Sequence, residues 1–473
     1  MTSNSDAPAF SPADEWPPER DSAKQSPSAP FQAPVSGPHV NWLFVDLNSY
    51  FASCEQQVRP ELRGRPVAVV PMMADTTVCI AASYEAKAYG VKTGTIVADA
   101  KRLCPDLVLL EGRHELYTDF HHRIVEAVES CLPVTAVCSI DEMACRLTGR
   151  ERPLLAAMEL GRKVKATIRE RVGEMLRSSV GLATNRYLAK VSSDMEKPDG
   201  LVALTLDLLP NALRRLSLRD LPGIGARTEK RLNEKGIHTM DELLALDCEQ
   251  AGRLWGSVWG ERLWHWLRGE DFEVSEGEHL KSISHQHVLA PEMRTPEKAW
   301  AVAHKLLHKA AMRLRANDLW ASSIGLAVGF AAPRAKKGPG NSGSKESADA
   351  PLPVSTFGVP ARGWHGELRL SECQDNSTLI AALKQLWLSR PSGPQHDHPY
   401  FIGVHLNELV PGRLHSLDLF ENLEGERDRK RLLETMDKIN NKYGLSALAP
   451  ATMLTAYKAA PTRIAFHSIP DLF

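Results

Sequence analysis

An α/β (α+β) multidomain protein is the fold class this sequence predicts, and three observations carry the prediction. Between residues 41 and 200, short apolar runs of strand length alternate with longer stretches whose apolar residues recur at helical spacing. From about Leu201 the pattern turns helical, and near Lys281 strand-like runs return around one long helical stretch. At 473 residues the chain is long enough for about two to four compact domains.

Residues 1–40 are rich in Pro, Ser and Ala and lack both a basic start and an apolar core, so they read as a disordered leader and not a secretory signal. Order begins at NWLFVDLNSYF, a buried strand whose end delivers Asp46. RPVAVVP and TVCIAAS are further strand-like runs, and YEAKAYGVKTGTIVADAKRLCP reads as a helix broken by glycines and then a second helix. ELYTDFHHRIVEAVESCL is helical, and VTAVCSIDEMACRL holds two strand-like runs meeting at Asp141-Glu142. PLLAAMELGRKVKATIRERVGEML is a long amphipathic helix and SSVGLATN one more strand, which together predict one mixed sheet with helices on its face. LPGIGARTEKRLNEKGIHTMDELLAL predicts two short helices around a Gly-containing hairpin in a separate small domain. The third region offers SISHQHVL, the helix EKAWAVAHKLLHKAAMRLRAN, WASSIGLAVGF, GWHGELRL and YFIGVHLNEL, with a disordered Gly/Ser/Lys/Pro insertion at about 332–358. A charged helix, GERDRKRLLETMDKINNKYG, leads into the tail.

Composition narrows the class further. No apolar run nears the roughly 18 residues that cross a bilayer, which predicts a soluble, cytoplasmic protein with no membrane partner. The eight cysteines include no C-x-x-C pair, and the spacing of Cys131, Cys138 and Cys145 suits neither a zinc ribbon nor a disulfide framework, so reduced thiols are expected. With 57 Lys+Arg against 58 Asp+Glu, net charge says nothing about partners, but residues 281–337 hold ten basic side chains against three acidic ones. Such an excess is either a solvated face or a grip on a phosphate backbone. His304 and His308, four apart, lack the Glu of a zinc-protease motif and read as helix-face residues.

The chemistry centres on Asp46, Asp141 and Glu142. Spacing alone leaves Asp141-Glu142 either an ordinary turn or, with Asp46, part of a carboxylate cluster at one sheet edge. Three clustered acids repel one another and are tolerable with divalent cations among them, and hard oxygen ligands suit Mg²⁺.

The stretches VDLNSYFASCEQ (45–56), ASYEAKAYGV (82–91), SIDE (139–142), VGLATNRYLAKVSSDMEKPDG (180–200) and LPGIGART (221–228) occur in the order and spacing of the Y-family translesion DNA polymerases, which the chain resembles from about residue 41 to 420. The resemblance implies a right-hand polymerase: palm and fingers at 41–200 (fingers about 51–115), a helical thumb with a helix-hairpin-helix at 201–278, a little finger at 281–420 and a C-terminal extension at 421–473. It implies template-directed, error-prone addition of dNTPs to a primer by two-metal phosphoryl transfer. Two Mg²⁺ would be held by Asp46, Asp141 and Glu142 with the backbone carbonyl of Leu47, and primer-template DNA and dNTPs would be the partners. It further implies that Tyr50, Tyr84, Lys87 and Lys190 bind the triphosphate and that Phe51 walls off the 2′ side of the sugar. Gly223 and Gly225 would let the hairpin backbone approach a DNA phosphate. The basic excess then falls in the little finger, as a grip on DNA.

HSLDLF (415–420) falls where the family carries a sliding-clamp peptide, so Leu417, Leu419 and Phe420 are the expected clamp contacts; the terminal IPDLF is a second candidate. The charged helix beyond resembles the extension of the polymerase V branch and implies a partner such as an accessory SOS subunit. The chain departs from the family in places. Lys87 stands where Arg is usual, Ser416 replaces a Gln, Met143 and Cys145 stand behind the acidic pair, and Asn48 replaces a second Asp, as in the polymerase V branch. The rival is a non-catalytic, Y-family-like accessory protein binding DNA, clamp and another polymerase; such proteins lose the acidic ligands, and here all three positions are filled.

Overall fold

The computed structural model describes residues 38–75, 77–272, 280–330, 363–393, 396–415, 423–443 and 447–456. In chain order, β1 (Trp42–Leu47), α1 (Tyr50–Val58), β2 (Val67–Val70), β3 (Ala81–Ala82), α2 (Tyr84–Ala88), α3 (Val97–Leu103) and β4 (Val108–Glu111) come first. There follow α4 (His114–Glu129), β5 (Ala136–Val137), β6 (Glu142–Arg146), α5 (Leu154–Arg171), β7 (Ser178–Ala183), α6 (Arg186–Met195) and β8 (Leu201–Leu204).

These strands form two sheets where the apolar runs predict one. The larger has the order β5-β6-β1-β7-β8 and the smaller β3-β2-β4. The smaller separates because β2 pairs in parallel with β4 across a crossover carrying α2 and α3, closing a core of Val70, Ala82, Ala86, Val97 and Ala100. The larger sheet runs on to Leu204, past the boundary expected at residue 200, because β8 pairs in parallel with β7.

β1 is central and apolar on both faces, and its alternation decides what each face meets. Leu43, Val45 and Leu47 join the core beneath α4 and α5, together with Met143 and Cys145 of β6. Trp42 and Phe44 point the other way with Ala144, toward α6 and the helices that follow. Those helices are α7 (Ala226–Asn233), α8 (Met240–Leu244), α9 (Cys248–Trp255) and α10 (Val258–Leu267). Leu218, Leu221, Leu232, Leu263 and Leu267 pack into that same core with Trp42, Phe44 and Leu188, so the expected small separate domain shares its interior with the larger sheet. Polar ties reinforce the junction. Asn185 caps α6 by accepting from the Leu188 N–H (2.8 Å) and donates to the carbonyls of Trp266 and Glu270. Asp271 accepts from the Asn41 amide and the Trp42 indole, each at 3.0 Å.

The C-terminal region is a four-stranded antiparallel sheet, ordered β11-β10-β12-β9, built from β9 (Ser282–Val288), β10 (Leu319–Phe330), β11 (Gly363–Cys373) and β12 (Pro399–Pro411). On one face lie α11 (Pro296–Ala316) and α12 (Asn376–Ser389), around a core of its own that includes Leu306, Leu314, Ile324, Leu383 and Val404. Beyond it, α13 (Leu423–Tyr443) and a 3₁₀ turn at Ala451–Ala456 belong to the extension, and Ala456 enters the same core. The insertion at 332–358 lies outside the described residues, as do the leader through residue 37, SLDLF (416–420) and IPDLF.

The basic excess of 281–337 meets this packing, and several of its charges point inward. Lys305 is 5% exposed and donates to the Ala456 carbonyl. Arg315 grips Asp437 of α13 through Nε (2.6 Å) and Nη2 (2.8 Å). These charges hold the extension against α11 and are not a backbone-facing surface. His304 and His308, expected on one helix face, lie on the buried face of α11. None of the eight cysteines forms a disulfide, and among the described residues no helix is long and apolar enough to cross a membrane.

Candidate active site

Asp46 projects from the face of β1 that carries Trp42 and Phe44, and Glu142 stands directly opposite it in the antiparallel register. The two carboxylates therefore meet above α6, whose Lys190 donates to Asp46 and lies 2.8 Å from Glu142 Oε1. Asp141 precedes β6 at the hairpin. Its carbonyl accepts from the Leu47 N–H (2.9 Å), which draws the turn against the end of β1, and its carboxylate accepts from Ser139 Oγ (2.6 Å). His121 steadies the turn from α4, its Nδ1–H donating to the Ile140 carbonyl at 2.8 Å.

Electrostatics follow from this crowding. Burial pushes the Asp141 carboxyl up from its usual value, and the nearby Asp46 adds to the effect against the Ser139 hydrogen bond. Burial likewise raises Glu142, with Lys190 working in the opposite direction. For Lys190, burial opposes the charge, but Asp46, Asp194 and Glu142 together outweigh it and hold the ammonium group protonated well above its ordinary range.

Two residues inside the quoted motif VGLATNRYLAKVSSDMEKPDG escaped sequence reasoning as site residues. Lys197 Nζ lies 2.7 Å from Asp46 Oδ1 and 2.7 Å from Asp194 Oδ1, while Asp194 also meets Lys190 at 3.1 Å. The signal was present in the spacing: Lys190–Asp194 and Asp194–Lys197 are i,i+4 and i,i+3 neighbours at the end of α6. Three carboxylates and two ammonium groups thus form one alternating network at the sheet edge.

The side facing the smaller sheet is polar and aromatic. Lys87 Nζ donates to Ser49 Oγ at 2.8 Å and lies 4.3 Å from the centre of the Tyr84 ring. Ser49 turns the chain from β1 into α1 with φ of 50°, and Phe51, half-buried, stacks on Tyr117. Tyr50, expected to contact the nucleotide, turns its side chain into the core. Its ring is buried in the core and its hydroxyl donates to the Tyr117 carbonyl at 2.6 Å, because the first turn of α1 points it inward, while Phe51 keeps part of its surface exposed. Met143 and Cys145 face away from the carboxylates into the helical layer, where burial pushes the Cys145 thiol up to about 12, and neither touches the acidic pair. Asn48 is structural too: its amide donates to Ser179 Oγ (2.9 Å) and its carbonyl accepts from the Asp199 N–H (2.8 Å).

The donor set fits hard divalent cations. It is all oxygen, partly desolvated and concentrated at one strand end, which is the chemistry Mg²⁺ takes. Among the described residues no three ligating side chains close around a point, since Lys190 and Lys197 lie between the carboxylates.

On the neighbouring helices, Gly223 has φ of +88°, and a Cβ there would press on the Trp259 ring at 2.9 Å. Gly225 caps α7 and faces open space, so the backbone at the start of that helix is accessible. Leu417, Leu419 and Phe420 lie outside the described residues.

Comparisons with known proteins agree with this layout. A family model described as the impB/mucB/samB family matches residues 45–194, one described as the DNA polymerase-iota thumb domain matches 219–271, and the impB/mucB/samB C-terminal domain matches 280–419. The DNA polymerase IV of Moorella thermoacetica is 33% identical over 419 residues, covering 87% of this chain and 96% of that protein. That of Pelotomaculum thermopropionicum is 30% identical over 419 residues, covering 87% and 95%. Among solved structures, a Y-family DNA polymerase chimera of Dbh and Dpo4 superposes with a TM-score of 0.62 at 22% identity, covering 78% of this chain and 99% of that one. An insertion ternary complex of Dbh DNA polymerase gives 0.50 at 23% identity, with 78% and 99% covered.

Proposed function

The chain belongs to the impB/mucB/samB family of Y-family polymerases, and from that premise we propose that it is a DNA-directed DNA polymerase acting in translesion synthesis and repair, adding dNTPs to a primer 3′ end. The observation that carries the proposal is the facing of Asp46 and Glu142 across β1 and β6, with Asp141 drawn to the same edge by the Leu47 N–H. Two Mg²⁺ held by Asp46, Asp141, Glu142 and the Leu47 carbonyl would supply activation of the attacking oxygen and charge neutralisation on the leaving pyrophosphate.

The chain's own groups do the rest. Lys190 and Lys197 hold Asp46, Glu142 and Asp194 close together before substrate arrives, and each is a cation ready to move from carboxylate to phosphate. Lys87, poised on Ser49 beside Tyr84, offers a point charge to the triphosphate where a guanidinium would offer a fork. Phe51 stands one helical position past Tyr50, its outer face available to the sugar's 2′ side. Gly225 and the start of α7 offer main-chain N–H groups to a duplex phosphate. Leu417, Leu419 and Phe420 are the proposed clamp contacts.

Primer extension with the purified full chain and Mg²⁺ tests the reading. Wild type extends a primer by template-directed addition, and Asp141→Ala loses at least about a hundredfold in rate, the scale of a lost ligand or a lost charge-stabilising group. Absence of extension by wild type, or equal extension by Asp141→Ala, overturns it.

A further inference from the structure

We infer that Glu55, Arg113 and Tyr117 form a closed box that fixes the ring of Phe51 and thereby sets discrimination against the ribose 2′-hydroxyl; this rests on the reading of Phe51 as the sugar-side wall. Phe51 and Glu55 are one turn apart on α1, and Arg113 and Tyr117 are one turn apart at the start of α4. The two pairs interlock. The Phe51 and Tyr117 rings stack at 4.4 Å between centroids with 15° between planes. The Tyr117 hydroxyl donates to Glu55 Oε1 at 2.9 Å, and Arg113 donates to both oxygens of Glu55, at 3.0 and 2.5 Å.

Two of the three supports are buried, and the third, Arg113, reaches in from the surface with its side chain 41% exposed. Glu55 is 0% exposed, and its carboxylate is held by Arg113 and Tyr117, with Arg59 more distant at 3.8 Å. Tyr117 is also 0% exposed; burial foremost, with the Glu55 carboxylate adding, raises its hydroxyl pKa and keeps the proton on as a donor. Its carbonyl is occupied by the Tyr50 hydroxyl. Phe51 alone has surface left over, and its stacked face is backed by a ring that cannot yield.

Rigidity matters because the wall must reject a single oxygen atom. A ring free to swing by an ångström admits the hydroxyl, whereas selectivity of this kind needs placement to about 0.5 Å. Tyr117, Glu55 and Arg113 are positioning residues on this account: they act on the sugar through Phe51.

Single-nucleotide incorporation of dCTP and CTP opposite template dG, measured as kcat/KM for each, separates this role from general stability. A variant that merely loosens the protein lowers both values together, whereas a displaced wall raises incorporation of CTP relative to dCTP. Phe51→Ala should collapse the ratio. Tyr117→Leu should lower it about tenfold, and Tyr117→Phe and Glu55→Gln, which keep the ring or the shape, about threefold. If Phe51→Ala shifts the ratio while the Tyr117 and Glu55 variants stay within about twofold of wild type, the box inference fails and Phe51 keeps its role. If Phe51→Ala leaves the ratio unchanged, the reading of Phe51 fails and the inference with it. Should Tyr117→Leu not fold, Tyr117→Phe decides, since it removes only one hydroxyl.

Discussion

Lys197 shows how much a single side chain contributes to the carboxylate network. It lies against Asp46 and Asp194 together, and its own charge survives burial because those carboxylates outweigh the desolvation. Lys197→Ala leaves Asp46, Glu142 and Asp194 sharing Lys190 alone. In EDTA the variant should lose about 1 kcal/mol of stability, the value of a partly exposed ion pair that is one of several. Added Mg²⁺ should recover more stability for the variant than for wild type, because a divalent cation then answers a larger uncompensated charge. Urea unfolding with and without Mg²⁺ checks this; an unchanged midpoint in EDTA would refute it. At this scale the sequence was partly legible. Asp46, Glu142 and Lys190 stand in motifs far apart in the chain and lie together at the sheet edge, whereas the inward turn of the Tyr50 side chain was not legible, because residue type cannot say which way the first turn of a helix points. Asn48 was visible only as a departure from the family; its hydrogen bonds to Ser179 and Asp199 give it a structural task that a second carboxylate would perform only by burying another charge.

Among the elements, α6 carries the site because it lies flush on β7, and one glycine permits that. A Cβ at Gly181 would fall inside contact distance of the Ala189 carbonyl oxygen and the Ser193 nitrogen, both main-chain atoms of α6. Gly181 is paired to Phe44 of β1, so any retreat of the helix moves Lys190 and Asp194 away from Asp46. Gly181→Ala should therefore cost about 1–3 kcal/mol through overpacking and reduce primer extension even where the protein remains folded. Denaturant midpoint and kcat measured on the same preparation check it; full activity would show that α6 tolerates the shift. The elements themselves were largely readable: β1, the β5–β6 hairpin, α4, α5, β7 and α11 fall where periodicity predicts them. The separation into two sheets was not, because a parallel β2–β4 pair and an antiparallel β1–β6 pair present similar apolar runs. Nor was α12, which lies in a stretch that carried no motif.

In the whole molecule, the division of cores differs from the division of motifs. The helical region after Leu204 shares a core with β1 and α6, while the C-terminal region encloses its own. The sequence shows that β1 is apolar apart from Asp46 but not what covers each face, so this coupling could not be read from it. Two cooperative units are the consequence, and histidines make the C-terminal one sensitive to acid. Burial, followed by the charges of Arg315 on one side and Lys309 and Arg313 on the other, lowers His308 and His285 to about 4. A histidine held neutral in the folded state binds fewer protons than its unfolded form below the ordinary value near 6.5, so stability is intact above that pH and is lost as pH falls toward 4. For His308, 4% exposed and accepting from the Asn376 amide, the loss by pH 4 is on the order of 2–3 kcal/mol. Asp437, facing it from α13, works weakly the other way. The C-terminal unit should consequently unfold before the rest on acidification, releasing the Arg315–Asp437 contact as it does so. Tryptophan fluorescence across a urea series at pH 7 and pH 5 should resolve an early transition only at the lower pH, and His308→Asn should move that transition back toward its neutral position. A single transition at both pH values, or one that His308→Asn does not shift, would show that the histidines do not set the acid limit of this unit.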